Sequence, residues 1–193
     1  MTRLTDLLAP DPIDLAAVTA HLDGLKGPER VTQVREVPGS QQKRLFAAAS
    51  GWRALSQEYY VPSDHPTRKF VRHLGKNSLP VFSHFEKRFA RPEDNSPVLW
   101  GYNHGPVMGL VGPGHFVMRD GPGEGEVHVD YYSLPAESVD GAPPLKANDR
   151  GISALVYGNM IDVLRGVSEH VSIGRAIKHG KDTPNYFLLC REA

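Results

Sequence analysis

The chain has a single cysteine, Cys190, so an intrachain disulfide is excluded. It has no excess of either charge. Its 22 Lys and Arg balance 22 Asp and Glu, which leaves no long-range field to gather nucleic acid or an anionic membrane surface. No apolar run approaches the roughly 18–20 residues that a membrane-spanning helix needs. Residues 1–13 carry Asp6 and Asp11 and have no uninterrupted apolar stretch, so they do not read as a secretory signal. A Gly-x-Ser-x-Gly nucleophile elbow is missing. The glycine-rich run 121–125 has neither a following helix nor a lysine at the phosphate-binding position. These absences lead to the expectation of a cytoplasmic protein with no nucleic-acid partner, no membrane partner and no cofactor. They leave homo-oligomer formation open.

What the chain does have is strand signal. Residues 151–157, 160–165, 171–178 and 185–191 are rich in β-branched and aromatic side chains and are cut by Gly158, Asn159, Gly166 and Gly180. Further strands are expected at 69–74, 82–90, 98–103, 115–119 and 126–133, with 121–125 as a hairpin loop. So many consecutive strands bury a common face only when the sheet curls, which predicts a mainly β (α+β) fold: an antiparallel barrel of about 8–9 strands. Residues 1–10 read as a loose leader. Apolar residues at three- and four-residue spacing predict helices at 14–25, 29–36 and 40–50, the last with Ser40 as its N-cap. The expected organisation is a helical N-terminal cap over 1–50 and a barrel over 51–193. The polar stretch 135–144 is a surface excursion or the rim of a pocket.

The polar residues inside strands are the candidates for function. Asp162 shares a strand face with Met160 and Leu164, and Arg165 shares the other with Ile161 and Val163, so one of the two charges lies on the inner face. A charge there must be paired or hydrogen-bonded. It is either a structural ion pair or the polar anchor of a ligand in an apolar cavity. The same reasoning selects Lys87 and Arg88 within one strand, and Tyr102, Tyr132 and Tyr157 as aromatic walls. Asp130 with His115, or Asp162 with a tyrosine, would be an acid–base pair. His104, His115 and Asp130 are the only grouping that suggests a metal, but spacing alone does not select it, and no metal is expected. Cys190 lies in an apolar strand and reads as an inert thiol. Three functions follow: a carrier of a small hydrophobic or amphipathic molecule, a cofactor-free acid–base enzyme (isomerase, dehydratase or cyclase) acting on an apolar metabolite, or an interaction module with the helical cap as its interface.

Two stretches resemble the GXWXG-motif family of mostly bacterial proteins. Phe85-Glu86-Lys87-Arg88-Phe89 runs through Glu93-Asp94 to Pro97-Val98-Leu99-Trp100, similar to that family's Lys-Arg-Phe segment and the strand after it. Residues 150–157, then Ile161-Asp162, Arg165, Ile173-Gly174 and 187–191, are similar to its C-terminal half in order and spacing. The naming Gly-x-Trp-x-Gly motif is absent, and Gly51-Trp52 is a partial echo of it. The resemblance implies a lipocalin-like barrel, carries no activity with it, and adds weight to Lys87, Arg88, Asp162 and Arg165.

Overall fold

The computed structural model describes residues 2–79, 83–94, 96–123 and 125–192. Eight strands follow one another around a closed antiparallel barrel: β1 (Val71–Asn77), β2 (His84–Ala90), β3 (Leu99–His104), β4 (Phe116–Asp120), β5 (Val127–Asp130), β6 (Met160–Gly166), β7 (Val171–Lys178) and β8 (Lys181–Arg191). The last strand returns to the first, with Leu74 opposite Cys190, so no edge is left unpaired. The expected hairpin joins β4 to β5, with Asp120 opposite Val127. Position 82 of the expected second strand lies outside the described residues.

Three glycines let the barrel hold aromatic rings. Gly75 faces Phe85, Gly101 faces Phe116, and Gly174 faces Phe187, each directly across a strand pair. A Cβ at any of the three would collide with the facing ring. The rings therefore lie flat over glycine, an arrangement that also pins the strand register.

Among the described residues seven helices accompany the sheet: α1 (Leu4–Leu7), α2 (Leu15–Gly24), α3 (Gly27–Glu36), α4 (Gly39–Ala48), α5 (Gln57–Tyr60), α6 (Met108–Val111) and α7 (Gly151–Val156). Among the described residues no helix is long and apolar enough to cross a membrane. The N-cap of α2 is Asp14, whose carboxylate accepts from the Ala17 amide at 3.0 Å, and Pro28 opens α3. Two local readings are corrected. The stretch expected as a loose leader is anchored: Leu4 in α1 and Leu8 just after it are both buried. The N-cap of α4 is Pro38, not Ser40.

The helices over 4–48 do not sit over an opening of the barrel. They pack on its outer wall, where Leu22, Val34, Leu45 and Phe46 join Val163, Val171, Ile173, Leu188 and Cys190 in one apolar cluster. Arg165 fastens this layer. Its guanidinium lies 4.2 Å from the Phe46 ring, donates to the Phe46 carbonyl at 2.8 Å, and pairs with Glu126 at 2.6 Å. Cys190 is sealed between the layers, and burial pushes its thiol up to about 11.

The segment expected as a strand over 151–157 is helix α7 instead. Its apolar residues lack a period-2 partner, because the eight strands already close the sheet. Local bonds satisfy its backbone: the Tyr157 amide donates to Ser153 O at 2.7 Å and the Gly158 amide to Ala154 O at 3.0 Å. The stretch 135–144 lies against the outside of β3 and β4, where Val139 and Ala142 cover Trp100 and Val117. It forms no rim.

One end of the barrel is plugged. Leu55, Tyr60 and Val61 enter the lumen and pack with Val71, Phe89, Leu99, Met118, Val127, Leu164 and Leu189. Strand ends grip the plug: Arg191 donates to Tyr59 O at 2.7 Å and Arg91 to Val61 O at 2.6 Å. His73 Nε2 lies 3.0 Å from Tyr60 O, which only accepts, so Nε2 carries the proton. Nδ1 is buried with no partner among the described residues. Burial pushes the His73 pKa down to about 3, against about 6.5 in an unfolded chain.

The unfolded chain therefore takes up a proton at this residue before the folded one does. Stability from neutral His73 is complete above about pH 6.5 and is lost as pH falls towards 3, to the extent of roughly 3–5 kcal/mol. Urea unfolding followed from pH 7.5 to pH 4 should show a steeper loss for the native chain than for His73→Gln, whose amide keeps the bond to Tyr60 O without titrating. Equal slopes would contradict this.

Candidate functional site

Each lumen strand places alternate residues inward, and above the plug the inward residues leave space. A cavity of about 190 Å³ opens at the end opposite Tyr60. Its walls are mostly apolar (Phe85, Met160, Ala176 and Phe187), and α6 and α7 frame its mouth with Met108, Val111 and Val156. Polar groups meet at its floor. Lys87 on β2, Asn103 on β3 and Asp162 on β6 all point inward, as does Tyr131 just past the end of β5.

The register explains this meeting. Lys87 stands opposite Asn103, and Asp162 stands opposite Val129, two residues before Tyr131 on the same face. Lys87 Nζ lies 2.9 Å from Asp162 Oδ2 and donates to Asn103 Oδ1 at 2.9 Å and to the Tyr131 hydroxyl. Tyr131 in turn donates to Asp162 Oδ2 at 3.1 Å. Asn103 Nδ2 donates to the Tyr131 hydroxyl and to Gly114 O, both at 3.1 Å. All three protons of the ammonium are thus directed at protein oxygens. Four rings enclose the same nitrogen, with centroids at 5.0 Å for Tyr131, 5.1 Å for Phe116, 5.2 Å for Phe187 and 5.8 Å for Phe85. Three of these rings are the ones seated on glycine.

The side chains of Lys87 and Asp162 are only 2% and 3% exposed, so the ionisation of Lys87 is governed by desolvation and by the neighbouring Asp162. Burial pulls the Lys87 amine below the ordinary lysine range, and the Asp162 carboxylate opposes that pull. Burial, aided by the Asp162 charge, holds the Tyr131 phenol well above its usual range. Tyr157 stacks on Tyr131 at 5.4 Å, its ring filling the place a side chain at Gly114 would take, and it is pushed up to about 12 by burial and then by Asp162. Its hydroxyl makes no hydrogen bond to a described residue.

Of the residues singled out from the sequence, the structure brings Lys87, His104, Asp162 and Tyr157 to the cavity. The others stand elsewhere. Arg88 and Tyr102 meet on the outer face of β2 and β3, 3.1 Å apart from nitrogen to hydroxyl. Arg165 binds the helical layer, as described above. Tyr132 is exposed. Asp130 and His115 do not form a pair: Asp130 accepts from Tyr132 N at 2.8 Å and Ser133 Oγ at 2.7 Å, while His115 lies 3.2 Å from Pro144 O on the outer wall. Among the described residues no three His, Cys, Asp or Glu side chains are placed to hold a metal ion. Asn103 and Tyr131 are the floor residues that sequence reasoning missed. Only the cross-strand register identifies them.

Removing one partner of a buried pair leaves the other charge uncompensated, at a cost of about 3–5 kcal/mol, whereas an apolar pair of similar volume is often neutral. Lys87→Met and Asp162→Leu should each lower urea-unfolding stability by that order, and the double variant should be more stable than either. Additive losses would mean that the two charges do not depend on each other. Searches of protein-family models, of curated proteins and of solved structures find no match to this chain.

Proposed function

We propose that this protein binds a small, largely apolar molecule bearing one polar group inside its barrel. The observation that carries this reading is the shape of the lumen: solid at one end, hollow at the other, with ionised groups confined to the floor of the hollow half. Cavities of about 150 Å³ accept benzene, so about 190 Å³ suits a single ring or a short chain. A longer chain would have to extend out between α6 and α7. The polar group of the guest meets the Tyr157 hydroxyl and the Asp162 carboxylate, a donor and an acceptor on one wall. The resemblance to the GXWXG-motif family supports this choice, since Lys87 and Asp162 both fall in the stretches that carry it.

Cyclohexanol and 1-hexanol are suitable probes, with binding followed by calorimetry and by shifts of the cavity methyl resonances. Ala176→Phe fills the cavity from a position opposite Asp162 and should abolish binding. Arg88→Ala, on the outer face, should leave it unchanged. Undiminished binding in the Ala176→Phe variant would place the guest outside the barrel.

Acid–base catalysis without a cofactor is a second reading, favoured by the 3.1 Å bond between Tyr131 and Asp162 on the cavity floor. Asp162→Asn removes the base and keeps the shape of the site. An isomerase or dehydratase activity found in the native chain should fall by about 10²–10⁴-fold in this variant, and an activity that survives it would exclude the reading.

A further inference from the structure

We propose that Lys87 is an iminium-forming amine: the cavity takes a short-chain or monocyclic aldehyde or ketone, and Lys87 Nζ condenses with its carbonyl carbon while Asp162 relays the protons. This rests on the cavity being the ligand site and names the chemical class of the guest.

The ammonium group already spends its three donors on Asp162, Asn103 and Tyr131. It has no proton left to anchor a ligand by hydrogen bonding. A guest reaches this nitrogen productively by bonding to it, once a proton has passed to Asp162. Another deeply buried basic side chain shows the contrast. Arg30 donates to Leu22 O at 2.8 Å and to Leu25 O at 2.7 Å, fastening the end of α2. Lys87 instead ends at the floor of a cavity, beside a carboxylate and a phenol.

The step balances without any further reactant. Lys87 passes one proton to the Asp162 carboxylate, and the freed nitrogen pair forms the N–C bond as the carbonyl π pair moves to oxygen. Asp162 returns the proton to that oxygen, giving a carbinolamine still protonated on nitrogen. Asp162 then takes a second proton from nitrogen and delivers it to the hydroxyl, which leaves as water as the C=N bond forms. One ammonium and one carbonyl become one iminium and one water, with a single positive charge on each side and Asp162 unchanged. The four rings and the carboxylate that surround the ammonium surround the iminium equally well, so the site needs no rearrangement of charge. The downward pull of burial on the Lys87 amine favours the same first step.

The test treats the full chain at pH 7 with a small excess of hexanal and sodium cyanoborohydride, which fixes an iminium as a secondary amine. Intact mass and peptide mapping then report the site. The expected result is one hexyl group per chain, on Lys87, ahead of the exposed Lys26, Lys43 and Lys181. Excess 1-hexanol should suppress the label, and Ala176→Phe and Asp162→Asn should each lose it. The Ala176→Phe and competition arms keep the result decisive should Lys87→Met fail to fold. Labelling confined to exposed lysines while 1-hexanol still binds in the cavity overturns the iminium and leaves the binding reading standing. Absence of both overturns both.

Discussion

The interior of this barrel is organised by one ion pair. Lys87 and Asp162 lie 2.9 Å apart, almost wholly out of water. Two isolated charges so placed would each carry a desolvation penalty of several kcal/mol. Their mutual attraction offsets that only when the remaining donors and acceptors are satisfied, and Asn103 and Tyr131 satisfy them. The pair therefore demands a layer, not just a partner. That layer divides the lumen into a solid end, where Tyr60, Phe89 and Met118 fill the space, and a hollow end.

The glycine–phenylalanine pairs belong to the same constraint. An ammonium inside an apolar barrel gains from ring faces, but rings bulky enough to surround it would overfill eight strands of ordinary residues. Glycine at 75, 101 and 174 removes the facing side chain where each ring must lie. Gly101 has a second reason to be bare, since a Cβ there would also strike the Arg88 carbonyl. Strand glycine usually weakens a sheet; here it seats the rings that enclose the charge.

Much of the fold could be read from the sequence, because helix and strand periods are local properties. The three helices between 14 and 50 and the closed antiparallel sheet came from spacing and turn residues alone. The site was only half legible, and parity is the reason. Along a strand, one step moves a side chain from lumen to exterior. Lys87 points in and Arg88 out; Asp162 points in and Arg165 out; Tyr131 turns inward and Tyr132 faces water. Residue type does not distinguish the members of these pairs, and only pairing between distant strands does. The strand expected at 151–157 failed for a related reason. A β-rich composition needs an unpaired neighbour to become a strand, and a closed barrel offers none.

Stability and access are assigned to different parts of the chain. The helices over 4–48 rest on the outer wall of β6, β7 and β8, tied by Arg165, and the plug closes the far end. Neither contributes a residue to the cavity lining. The mouth of the cavity is formed by α6 and α7, whose Leu110, Ile152 and Leu155 are exposed despite being apolar. These two short helices touch each other. The chemistry proposed for Lys87 needs a guest to pass between them while the ion pair below stays out of water.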